Sequence, residues 1–242
     1  MKKILVVHGA SYGRAITGLG ELVNDPTDIF HNPEDYSLVL FTGGEDVSPS
    51  LYDDTSPKGL CGNNIHRDVF EKKILTQAQS YGIPCAGICR GVQFLNVMSG
   101  GRMMHHIDGH GGTMHAVVNT IGEPIIVNSY HHQMILPPPD AVTVAVSETR
   151  QSGIYIGHND EPIEYTGNET EAAIFPASKC FGAQWHPEMM KPESDCHAFF
   201  FNMVKDALTM EWEHFVKTYD GGLKHDVLRP DERDVAVRHF AG

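Results

Sequence analysis

One cysteine of the chain stands in a setting that suits nucleophilic chemistry. Cys89 is the centre of Gly87-Ile88-Cys89-Arg90-Gly91, preceded by Ile83-Pro84-Cys85-Ala86 and followed by Val92-Gln93-Phe94-Leu95. The form is Gly-x-nucleophile-x-Gly between a strand pattern and a helix pattern, the context in which a nucleophile elbow works. A strand that becomes a helix within about two residues brings the side chains two before and two after the nucleophile into collision, so glycine is wanted at both places. The turn lifts the sulfur out of the sheet and sets it at a helix N-terminus, whose dipole favours thiolate. Taken alone, the five residues also fit a buried cysteine in a Gly-rich turn. Cys61, Cys85, Cys180 and Cys196 lack flanking glycines of this kind and are expected to be inert.

A thiol near neutral pH is mostly protonated, so attack needs a base. Among 15 histidines, His186 is set apart by Phe181-Gly182-Ala183-Gln184-Trp185-His186-Pro187-Glu188. A short strand delivers His186 to its end, Pro187 fixes the turn, and Glu188 follows two residues on, the spacing that shares a side in extended backbone. Glu188 can hold one imidazole nitrogen while the other faces Cys89. Nucleophile, base and orienter are then recognised by role and not by chain order.

These groups must be positioned by alternating strands and helices. The apolar pattern predicts strands over Lys3–Val7, Tyr36–Phe41 and 84–88, with helices over 67–81 and 91–98. That order predicts an α/β fold: an open, mostly parallel sheet flanked by helices on both faces. The second half is richer in strand patterns, at 115–118, 124–127, 142–146, 153–156, 172–175 and 181–184, and 194–218 reads as one long amphipathic helix. Residues 1–220 are expected to form one catalytic domain and 221–242 a charged, loosely docked tail.

Composition narrows the classes of function. The 242 residues carry a formal net charge of −13, which argues against a nucleic-acid partner and leaves room for a small anion in a local site. The opening run Ile4-Leu5-Val6-Val7 is too short for a signal-peptide core or a membrane span, so no membrane partner is expected. Five cysteines without a Cys-x-x-Cys spacing suit a reduced, cytoplasmic protein.

Gly-Ile-Cys-Arg-Gly-Val-Gln followed later by Gln-Trp-His-Pro-Glu resembles the class I glutamine amidotransferase superfamily, and the likeness runs from the first strand to the helix after Glu188. The resemblance implies a flavodoxin-like three-layer sandwich and a Cys89–His186–Glu188 triad. Within that superfamily four segments resemble the γ-glutamyl-γ-aminobutyrate hydrolase and γ-glutamyl hydrolase peptidase group. They are Arg90 directly after the nucleophile, Thr42-Gly43-Gly44-Glu45-Asp46-Val47-Ser48-Pro49 with Tyr52, Arg67-Asp68-Val69-Phe70-Glu71, and Asn128-Ser129-Tyr130-His131-His132-Gln133.

Amide hydrolysis builds negative charge on the carbonyl oxygen, which paired backbone N–H groups stabilise. The amides of Arg90 and Gly44 are the candidate oxyanion hole. Gly43, Gln93, Ser129, Tyr130 and His131 are the candidate substrate-binding residues by resemblance. Plainer alternatives are that Gln93 faces solvent and that His131 and His132 pack under their loop. Arg67, Asp68 and Glu71 are expected to brace their helix and its loops. Residues 9–20 lack a phosphate-loop signature and read as a loop near the site mouth.

The expected function is a cysteine hydrolase that cleaves a γ-glutamyl amide bond through a γ-glutamyl thioester, with a small-molecule γ-glutamyl substrate or glutamine. The alternative is a glutaminase subunit delivering ammonia to a synthetase or amidoligase partner. A homodimer is left open. No cofactor is expected, and no metal, because histidines 105, 106, 110, 115, 131 and 132 show no closed zinc spacing.

Overall fold

Strict alternation in the first strand sends Ile4 and Val6 into one apolar cluster and Leu5 and Val7 into another; Leu38 and Leu40 part from Val39 and Phe41 in the same way. Strands buried on both faces require a layer of helices on each. The computed structural model describes residues 2–122 and 124–223, and it has that form. Beyond Leu223, the charged tail expected from 221 onward lies outside the described residues.

The strands are β1 (Lys3–Val7), β2 (Glu21–Val23), β3 (Tyr36–Phe41), β4 (Cys85–Ile88), β5 (Arg102–Met104), β6 (His106–Ile107), β7 (Gly111–Asn119), β8 (Ile125–Tyr130), β9 (Met134–Leu136), β10 (Val142–Ser147), β11 (Tyr155–Ile156), β12 (Thr170–Phe175) and β13 (Cys180–Ala183). The α-helices are α1 (Ile65–Ser80), α2 (Arg90–Met98), α3 (Asp195–Thr209) and α4 (Trp212–Tyr219). Nine strands form the main sheet in the order β2-β1-β3-β4-β13-β12-β10-β7-β8. From β2 through β13 the neighbours are parallel. From β13 to β8 they are antiparallel, because β12–β13 and β7–β8 are joined by short connections that cannot carry a crossover. Ile74, Leu75 and Ala78 of α1 and Val92 and Leu95 of α2 cover one face. Phe199, Phe200, Met203 and Val204 of α3 and Phe215 of α4 cover the other. Among the described residues no helix is long and apolar enough to cross a membrane.

The helix expected over 194–218 is two helices. Met210 and Glu211 are extended, with ψ of 156° and 139°. The break lets Trp212 donate its indole N–H to the Pro176 carbonyl at 3.0 Å and brings the Phe215 ring 5.2 Å from Phe181. The apolar periodicity continues across the break, so the pattern alone reads as one helix.

Candidate active site

β4 and β13 are adjacent and parallel, with Ile88 opposite Ala183. Residues that follow the two strands therefore emerge side by side at the carboxyl edge of the sheet, where open α/β sheets place their ligands. Cys89 follows β4 directly and has φ 52° and ψ −114°, a left-handed setting that is strained for any residue with a side chain. α2 begins at the next residue. A Cβ on Gly87 would lie 2.4 Å from the Val92 nitrogen, and one on Gly91 would lie 2.2 Å from the Phe41 carbonyl oxygen. Both glycines are thus required, but by different neighbours: Gly87 meets the first turn of α2, whereas Gly91 meets the end of β3.

His186 comes just after β13. Its Nδ1 lies 2.7 Å from Glu188 Oε1. Burial by itself would lower its pKa; hydrogen bonding to the Cys89 sulfur and to Glu188 outweighs that and pushes it up to about 10. With Nδ1 held by the carboxylate, Nε2 is the nitrogen left for the sulfur. The three expected catalytic residues are thus brought together, all of them buried.

Two neighbours of His186 come from segments the sequence places near the site without singling out these residues. Asn128 on β8 accepts from the His186 N–H at 2.8 Å and donates to its carbonyl at 3.0 Å, which pins the backbone that carries the base. Tyr12, in the 3-10 turn Ala10–Ile16, sets its ring 5.9 Å from the imidazole, and its hydroxyl borders Gly43. Burial, with the negative charge of Glu188 and Cys89, pushes the Tyr12 phenol up to about 12, so it stays a hydrogen-bond donor. The 9–20 loop does reach the site. Replacing Asn128 with Ala strips two hydrogen bonds from buried backbone groups and should cost about 1–3 kcal/mol of stability. Chemical denaturation measures this, and a loss below about 0.5 kcal/mol would mean that the brace is redundant.

Arg90 supplies more than an amide. Its side chain is 1% exposed and pairs with Asp68 and Glu71 of α1, both fully buried. Arg67 Nε is 2.9 Å from the same Glu71, while its Nη2 donates to the carbonyls of Thr42 at 3.1 Å and Gly43 at 2.9 Å. Arg67, Asp68 and Glu71 therefore do not merely brace their own helix. They connect the residue after the nucleophile to the Gly43-Gly44 turn, and Gly44 packs directly against the Arg67 guanidinium.

The candidate binding residues divide by strand face. Asn128 and Tyr130 turn toward His186, and the Tyr130 ring is 54% exposed and 6.0 Å from the imidazole. Ser129 and His131 turn the other way. Ser129 Oγ lies 3.1 Å from His110 Nδ1, and His131 Nδ1 lies 2.9 Å from the Gln133 carbonyl. Burial is the main cause that drops the His131 pKa to about 4. Period-two alternation places the Ser129 and His131 side chains inside, so what these two positions offer the site is backbone. Gln93 is also buried and donates to the Gln133 carbonyl at 3.3 Å, so it neither faces solvent nor points freely into the site. His131 packs beneath its loop as the plainer alternative has it, while His132 is half-exposed and lies 3.1 Å from Asp46. Of the five, Gly43 and Tyr130 lie beside His186, and the Gln93 N–H donates to the Cys89 carbonyl at 3.2 Å.

Comparisons with known proteins bear on the family and the fold. The family model described as Peptidase C26 matches residues 22–121, the stretch that holds the Gly43-Gly44 turn and the Cys89 elbow. NtpR of Enterococcus hirae is 27% identical over 177 residues, which span 62% of this chain and 66% of NtpR. The YvdE homolog of Lactococcus lactis subsp. cremoris, a glutamine amidotransferase-like protein by name, is 31% identical over 134 residues, spanning 46% of this chain and 71% of that protein. Among solved structures, a protein from Thermoplasma acidophilum described as a component of GMP synthase superposes with a TM-score of 0.58 at 17% identity, covering 86% of this chain and 94% of its own, a likeness of fold. With the elbow, the strand order and these relatives together, the chain belongs to the class I glutamine amidotransferase-like superfamily.

Proposed function

We propose that this chain hydrolyses a γ-glutamyl amide through a γ-glutamyl thioester on Cys89. The observation that carries the reading is His186, held at 2.7 Å by Glu188 and raised in basicity by the sulfur beside it. His186 holds the proton that Cys89 gives up, and the thiolate of this pair attacks the δ-carbonyl carbon. The negative charge that develops on the carbonyl oxygen is met by the N–H groups of Arg90 and Gly44. The C–N bond breaks as His186 returns its proton to the departing amine. Water, deprotonated by His186, then opens the thioester, releasing glutamate and restoring the thiol. Gly43 and Tyr130 line the approach, and Tyr12 has a hydroxyl able to donate to the substrate.

The test is a panel of γ-glutamyl amides with different amine groups, scored by glutamate release, beside glutamine itself. The expected outcome is turnover of at least one non-glutamine amide by the isolated protein, stoichiometric labelling by 6-diazo-5-oxonorleucine, and loss of both in Cys89→Ala. Turnover of none of these amides by the isolated protein, with glutamine cleaved only when a synthetase is added, would reject the hydrolase and favour an ammonia-donating glutaminase. The amidotransferase-like name of the Lactococcus relative keeps that second reading in play.

A further inference from the structure

Three histidines and a glutamate outside the proposed reaction meet behind the site. His110 precedes β7, His115 lies within it, His131 follows β8, and Glu171 lies on β12. None is more than 6% exposed. Three imidazole nitrogens converge on one carboxylate: His115 Nε2 at 3.1 Å and His110 Nδ1 at 3.4 Å from Glu171 Oε1, and His131 Nε2 at 3.8 Å from Oε2. Two of the rings have their far nitrogen engaged. His110 Nε2 lies 3.3 Å from Glu169, and His131 Nδ1 lies 2.9 Å from the Gln133 carbonyl. Such outer partners are what orient histidine ligands toward a metal.

The polar bookkeeping points the same way. His131 Nε2 and Glu171 Oε2 are buried without a hydrogen-bond partner among the described residues. When His131 donates from Nδ1 to the Gln133 carbonyl, its Nε2 lone pair faces the lone pairs of that carboxylate oxygen. Two buried acceptors set against each other are costly, and a cation between them reverses the sign. The spacing is also suitable. Neighbouring ligand atoms on a tetrahedral zinc, bonded at 2.0–2.1 Å, stand about 3.3 Å apart. His115 and His110 come to 3.1 and 3.4 Å from Glu171 Oε1 and group with it within 4.8 Å, whereas His131 is 3.8 Å from the other carboxylate oxygen and has to move in to bind.

We infer that His110, His115, His131 and Glu171 form a divalent-metal site, with zinc as its ion. Imidazole and carboxylate ligands suit zinc; His110, His115 and Glu171 supply three of them as they stand, and His131 closing onto the ion as the fourth makes a structural centre. The centre sits against the supports of the catalytic base. Gln184, two residues before His186, lies 3.0 Å from His131 Nδ1, and Ser129, next to Asn128, lies 3.1 Å from His110. Zinc here would tie β7, β8 and β12 together beneath the strand ends that hold His186. The sequence expectation of no metal rested on local spacing, and these four ligands are drawn together only by the fold.

The test uses the full chain carrying Cys89→Ser, so that the reactive thiol does not take up metal. It is equilibrated with zinc sulfate, passed through gel filtration, and its zinc content and unfolding temperature are measured. The expected result is one zinc per chain and a higher unfolding temperature. His115→Asn and His131→Asn, each checked for folding by circular dichroism, should lower zinc affinity by roughly tenfold or more. Cobalt in place of zinc should give visible d–d bands without a thiolate charge-transfer band. A second buried grouping, Cys61 with His105 and Asp160, supplies the control: Cys61→Ser should leave the zinc content unchanged. A folded parent that retains no zinc overturns the inference. So do folded histidine variants that bind zinc as the parent does, or a metal that disappears with Cys61.

Discussion

His186→Gln should lower kcat/KM for the best γ-glutamyl amide by about 10²–10⁴-fold while the protein still folds. Glutamine is chosen because its amide can still donate to Glu188, so the buried carboxylate keeps a partner and the loss reports the proton transfers. The same residue sets the alkaline side of the pH profile. His186 must carry a proton to give to the departing amine, and its pKa is pushed up to about 10 by Cys89 and Glu188 against the lowering effect of burial. A group raised in this way keeps its proton until the pH passes that value. Activity should therefore hold through mildly alkaline conditions and fall as pH rises through about 10. Steady-state rates across the pH range check both points. A variant within a factor of about three of the parent would remove His186 from the mechanism.

Arg90→Met should be the most destabilising single change near the site. The guanidinium is buried between Asp68 and Glu71, and methionine leaves the two carboxylates without their shared cation. Removing one member of a buried charge set costs about 3–5 kcal/mol. For a chain of this size that corresponds to a fall of roughly 6–20 °C in unfolding temperature. Arg90→Lys keeps the charge but has no fork to reach both carboxylates, so an intermediate fall is expected. Activity should drop further than stability explains, because Glu71 also holds Arg67, which grips the Thr42 and Gly43 carbonyls. The network thus fixes the spacing between the two proposed oxyanion donors. An unfolding temperature within about 2 °C of the parent would contradict this account.

The proposed triad could be read from sequence because each of its parts is local. Gly87 and Gly91 flank Cys89, and Glu188 sits two residues from His186, so short stretches carry the chemistry. The parallel half of the sheet was legible for a similar reason, as unbroken apolar runs such as 4–7 and 38–41 need covering on both faces. Asn128 and Tyr12 were not recognised, since each acts on His186 only after distant segments fold together. The inward turn of the Ser129 and His131 side chains was not legible, because motif likeness assigns a segment without saying which way its side chains point, and strand alternation then decides. The break at Met210-Glu211 escaped notice because the apolar face resumes in phase beyond it, and the tertiary contacts of Trp212 and Phe215 settle where the helix turns.

The place of β13 also has a consequence in time. Among the described residues it is the last strand of the main sheet in chain order, yet it lies between β4 and β12, joining the parallel and antiparallel halves. A chain that ends before β13 lacks His186 and Glu188 altogether, so under the proposed mechanism the thiol is synthesised before the residues that would activate it.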